Sequence, residues 1–130
     1  MSFGFSVSDL VLSVQLAHNL WQEARDAPGD FRAVSAEVAS LKLVFQEVQE
    51  TAIGRDIEQS KQAELEQLMN GCNSVLLELQ TLLHKYKRLG TQSRRTWDRL
   101  RWGKEPVEKI RLRLVSRVSL LTSFRAGLLG

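Results

Sequence analysis

One cysteine and two prolines occur in 130 residues. The lone Cys72 excludes an intrachain disulfide and fits a reducing compartment. With proline confined to Pro28 and Pro106, long helical stretches can run unbroken. No basic residue precedes Arg25, so the basic start of a signal peptide is missing. A committed membrane span needs about 20 mostly apolar residues. The most apolar stretch, Phe3 to Trp21, is interrupted by Ser6, Ser8, Asp9, Ser13, Gln15, His18 and Asn19. Sustained period-two alternation is absent, which argues against sheet, and no internal repeat is visible. The chain carries no Gly-rich phosphate loop, GxSxG elbow or HExxH pair. His18 and His84 fall in separate segments with no ligand spacing, so both read as structural or surface residues. No catalytic residue, metal or cofactor is expected.

What remains is a helix-forming composition. Hydrophobic residues make up 43% and charged residues 25%, a globular balance long enough for one domain, residues 1–130. The first segment, about 7–24, places Val7, Leu10, Val11, Val14, Ala17, Leu20, Trp21 and Ala24 at three- and four-residue spacing. It ends at Pro28-Gly29. The second, about 31–51, repeats the pattern with Phe31, Val34, Val38, Leu41, Phe45 and Val48, with Asp30 as N-cap. The third, about 58–89, carries Leu65, Leu68, Cys72, Val75, Leu79, Leu82 and Tyr86. Gly71 interrupts it, allowing close approach of a neighbour or a slight bend. Cys72 lies on that seam and reads as a small core residue rather than a nucleophile. A short helix is expected over Ser93–Trp102. Gly103 then breaks the chain, and Pro106 opens a final helix, about 106–126, with Val107, Ile110, Leu114, Val118 and Leu121. The predicted fold is an all-α antiparallel bundle of four long helices plus a short one, with consecutive helices as neighbours.

Charge is distributed unevenly. Residues 1–80 hold 5 basic and 12 acidic side chains, and residues 81–130 hold 13 basic and 3 acidic. Either the two halves fold against each other, or the basic half faces an anionic partner. The cluster Arg94, Arg95, Trp97, Arg99, Arg101, Trp102 and Lys104 suits lipid headgroups. It also suits nucleic acid in composition, but no helix-turn-helix or RNA motif accompanies it, and nucleic acid is not expected. The plain alternative is tryptophans anchoring a short helix while the arginines stay solvated. The N-terminal segment is more informative, because Asp9 is its sole formal charge through Gln22. Either this helix is central and buried, or it can leave the bundle for a bilayer.

The opening Phe3-Gly4-Phe5-Ser6-Val7-Ser8-Asp9-Leu10 resembles the start of fungal HeLo-like domains, found at the front of NLR-like (STAND) receptors. Cys72, the stretch Leu79 to Tyr86, Trp97-Asp98-Arg99-Leu100-Arg101-Trp102, Val107 to Arg111 and Leu114 extend the likeness over nearly the whole chain. The resemblance implies a bundle similar to HeLo and to the necroptosis executor pseudokinase. It implies a cytoplasmic domain that self-associates, moves to the plasma membrane on activation and permeabilises it in regulated cell death and innate immunity. An NLR-like receptor module or an amyloid-signalling partner would activate it. The chain then looks like an excised N-terminal domain or a standalone effector. On this expectation Phe3, Phe5, Leu10, Val14 and Leu16 insert, while Arg94, Arg95, Arg99 and Arg101 meet anionic lipid. The rival expectation is a homotypic or adaptor interaction module without membrane activity.

Overall fold

The computed structural model describes the backbone of residues 7–27, 29–89 and 95–130, and the side chains of 9–27, 29, 31–87 and 106–130. Among the described residues four helices form: α1 (Val7–Asp26), α2 (Asp30–Ala52), α3 (Gln59–Leu89) and α4 (Arg95–Leu129). The described residues contain no strand. The all-α bundle expected from the sequence is what forms.

Heptad-like spacing builds each element and chooses its inner face. Leu10, Ser13, Ala17, Leu20 and Ala24 of α1 are buried at alternating steps of three and four. In α2 the same spacing buries Phe31, Val34, Val38, Leu41, Phe45, Val48 and Ala52. In α3 the fully buried line is Leu65, Met69, Cys72, Leu76, Leu79 and Leu83, with Val75 beside it. Leu68, Leu82 and Tyr86 pack at its margin. Val107, Ile110, Leu114, Leu121 and Phe124 complete the core from α4.

Two turns depend on glycine. Gly29 (φ 70°) precedes α2 and Gly54 (φ 74°) follows it, both in the left-handed region that a side chain disfavours. Gly29, not Asp30, holds the N-cap position of α2, and no side chain caps that end. Asp30 is the first helical residue instead.

The short helix and the final helix run together as α4, with Pro106 inside. A proline deletes only its own N–H bond and crowds the turn before it. A helix passes through when the following turn is held, and Val107 and Ile110, just after Pro106, are both buried.

Side-chain pairings define the topology. His18 meets Lys42, so α1 and α2 are antiparallel. Arg113 bonds Glu78, and Lys61 lies over the Phe124 ring, so α3 and α4 are antiparallel. Arg111 pairs with Glu37 and Arg125 with Glu47, so α2 and α4 run parallel. Ser13 bonds Asn73 and Lys87 pairs with Glu23, so α1 and α3 also run parallel. Adjacent helices around the ring are therefore α1, α2, α4 and α3. The expectation that all consecutive helices are neighbours fails for α2 and α3, which face each other across the core. Carboxylates on α2 and α3 meet arginines of α4 on both sides of that helix. Each such half-exposed pair is worth about 1 kcal/mol or less, so the pairs set register more than stability.

Candidate functional site

The outward surface of α1 is where this bundle departs from an ordinary one. A surface helix usually turns charged residues to water. Here Val11, Leu12, Gln15, Asn19 and Gln22 are exposed, and none carries a charge. Val11 is 46% and Leu12 67% exposed. The alternative in which α1 is central and buried on most sides does not hold. The helix sits at a corner of the ring, packed on α2 and α3.

The two flanks of α1 differ chemically. On the α3 side a cleft of about 430 Å³ opens between Leu12 and Leu16 of α1 and Leu77 of α3, with Asp9, Glu66 and Asn70 at its edge. Its floor is the bond from the Ser13 hydroxyl to Asn73 Oδ1, at 2.9 Å. Ser13 is only 3% exposed, so this bond satisfies a polar group that burial would otherwise penalise.

The α2 side is basic and aromatic. His18, Trp21 and Arg25 follow one another at i, i+3 and i+7 along α1, and antiparallel packing brings Lys42 of α2 among them. Lys42 Nζ lies 2.9 Å from His18 Nδ1. An ammonium has only protons to offer, so Lys42 donates, Nδ1 accepts, and the imidazole proton sits on Nε2. The Arg25 guanidinium stands 4.6 Å and the Lys42 ammonium 5.7 Å from the Trp21 ring centroid. His18 tilts against the same indole at 5.7 Å. The residues of α2 along this seam are Ser35, Ala39, Lys42, Gln46 and Gln49, all half-buried and none acidic.

The expected contact residues separate. Leu10 is 1% exposed and faces the core. Val14 and Leu16 are half-buried against it. Phe3, Phe5 and Arg94 lie outside the described residues. Arg95, Arg99 and Arg101 belong to the first turns of α4, but their side chains lie outside the described set. The antiparallel run of α4 on α3 puts those turns at the end of the bundle that holds Asp26 and Leu89. The N-terminus of α1 is at the other end. Leu10 therefore lies toward the opposite end of the bundle from the first turns of α4. Sequence reading missed the His18, Trp21, Arg25 and Lys42 cluster. The spacing on α1 was visible, but the fourth member is 24 residues away and arrives only through helix pairing.

Cys72 is free and buried. Burial pushes its thiol up to about 12, with the nearby Arg117 guanidinium opposing the shift. The thiol is thus protonated and unreactive near neutral pH. No group of three or more metal-ligating side chains converges among the described residues.

No protein-family model, curated protein or solved structure matches the chain.

Proposed function

We propose that this chain is a HeLo-like effector domain, not an enzyme, that self-associates and engages anionic membrane through α1. The observation that carries this reading is the exposed, uncharged strip of Val11, Leu12, Gln15, Asn19 and Gln22, bordered by a basic seam to which α2 contributes no acid. Apolar side chains left in water beside solvated cations suit a headgroup boundary. Among the described residues no helix is long and apolar enough to cross a membrane. The proposed contact therefore lies in the plane of the bilayer surface. Clustering by an NLR-like receptor module or an amyloid-signalling partner raises local concentration. The domain then passes from cytoplasm to plasma membrane and permeabilises it in regulated cell death.

A second reading, a homotypic or adaptor module without membrane activity, is favoured by α4. Its outer surface exposes Leu112 and Val115 beside Ser116, Ser119 and Ser123, again without charge.

Dye release from anionic and neutral vesicles tests the first reading. The full chain is compared with a Val11→Glu/Leu12→Glu variant whose helicity and urea midpoint are checked. Release that needs anionic lipid and is lost in the variant is expected. Neither release nor vesicle binding by the folded wild-type chain would transfer the assignment to the interaction module.

A further inference from the structure

We infer that His18, Trp21, Arg25 and Lys42 form a binding site for a phosphate-bearing anion, the acidic lipid headgroup at the α1–α2 seam being its source. The inference rests on the membrane reading for that source, but the phosphate chemistry stands on the site alone.

The cluster holds more donors than acceptors. Lys42 spends one of its three N–H groups on His18 Nδ1, which leaves two. His18 then presents Nε2–H. Trp21 contributes an indole N–H, which can only donate. Arg25 has five N–H groups, and among the described residues its ion-pair partner is the neighbouring Asp26, with Nε to Oδ1 at 3.4 Å and both side chains largely exposed. So long and exposed a contact holds the guanidinium weakly. Lys42 makes no ion pair among the described residues, and the α1-facing side of α2 offers none from Ser35 to Gln49. By contrast Glu37, Glu47 and Glu78 are all engaged by arginines of α4.

Two full positive charges over one indole repel each other. The ring's negative face compensates only part of that. An anion with several acceptor oxygens would bridge Arg25, Lys42 and His18 and remove the repulsion. A phosphate offers such oxygens, and its lipid form places the acyl chains beside Val11 and Leu43, which is 56% exposed on the neighbouring turn of α2. Trp21 has the amphipathic character that settles at a headgroup boundary. The seam, rather than the first turns of α4, becomes the headgroup contact.

The test uses the full-length chain and a Arg25→Gln/Lys42→Gln variant, with urea midpoints confirming that both are folded. Co-sedimentation is measured with vesicles of phosphatidylcholine alone and of phosphatidylcholine with phosphatidic acid. In parallel, inorganic phosphate is titrated while the Trp21 indole resonance, assigned through Trp21→Phe, is followed by NMR. The double variant should bind phosphatidic acid vesicles about thirty-fold more weakly, the loss expected for two cations facing an anionic leaflet. A Trp21 shift with inorganic phosphate that the variant lacks would show that the site also takes free phosphate. A loss confined to vesicles would show that it takes the headgroup only. If wild type bound no vesicle but its Trp21 signal moved with phosphate, the membrane reading would fall and the site would stand. Equal vesicle binding by wild type and variant would overturn the site and leave the membrane reading in place. An indole signal unmoved by phosphate, with no vesicle binding, would overturn both.

Discussion

Replacing Gly71 with alanine sets two effects against each other at one residue of α3. Alanine in a helix interior is favoured over glycine by about 1 kcal/mol, because glycine loses more backbone freedom on folding. Against this, a Cβ at position 71 would run into the guanidinium of Arg117, which α4 lays across the glycine. The three atoms nearest to that Cβ all belong to this guanidinium. The obstacle is therefore the tip of a long, flexible side chain. Arg117 is half-buried and makes no ion pair among the described residues, so swinging aside forfeits packing rather than a salt bridge. The net expectation for Gly71→Ala is a gain of about 0.5 kcal/mol. For a chain this size that raises the melting temperature by about 2 °C. Thermal and urea unfolding followed by circular dichroism would measure it, together with Arg117→Ala and the double variant. With the guanidinium gone, the alanine should deliver its full gain of about 1 kcal/mol. A loss of 1 kcal/mol or more in the single variant would refute the reasoning. It would mean that the glycine and the guanidinium together fix the separation of α3 and α4.

Three further outcomes follow from burial and backbone. Leu10→Asp should cost several kcal/mol, a large share of the about 5–15 kcal/mol a domain has, whereas Leu12→Asp should stay within about 0.5 kcal/mol; urea denaturation separates them. For Cys72 the folded pKa, about 12, lies above the ordinary 9.0, so the unfolded chain loses the proton first as pH rises. Its contribution to stability is complete below pH 9.0 and disappears between there and about 12, at about 1.4 kcal/mol per pH unit. Cys72→Ala should flatten the alkaline stability profile over that window, and an unchanged profile would contradict the burial. Pro106→Ala should stabilise the chain by about 1 kcal/mol or more, since it restores an N–H inside a continuous helix. A break at Gly103 would instead make that change neutral or unfavourable.

The helices were legible because the three-and-four spacing of apolar residues both forms the element and chooses its buried face. Phe31 through Val48 read from sequence as they pack. Failures came where a decision is not local. Val11 continues the apolar spacing of α1 yet stays in water, because α2 and α3 together cover less of that helix than the pattern could fill. Gly103 and Pro106 are breakers by local rule, and the burial of Val107 and Ile110 overrides them. The ring order, with α4 between α2 and α3, rests on contacts between residues far apart in the chain, such as Glu37 with Arg111, 74 residues apart. The dense basic cluster of the sequence is residues 94–104. The seam cations are fewer, and only their convergence on Trp21 distinguishes them.

The same geometry bears on how far α1 must move. Val11 and Arg25 are 14 residues apart, about 21 Å along a helix, so the exposed strip and the seam cations lie along one side of the folded bundle. A bundle lying on that side meets a surface without disturbing Leu10, Ala17, Leu20 or Ala24, which remain in the core. Releasing α1 is a different step. Exposing Leu10 and Leu20 alone would cost about 3–6 kcal/mol at ordinary burial values, comparable with the whole stability of many domains. Two seam cations near an anionic leaflet supply about 2 kcal/mol, which holds a folded bundle to the surface but does not open it. Docking should therefore precede any release of α1, and release should depend on contacts between copies. A chain in which α1 and α2 are joined by an engineered disulfide across the seam should still bind anionic vesicles and fail to release dye. If the locked chain released dye as well as the free one, permeabilisation would proceed without α1 leaving the bundle.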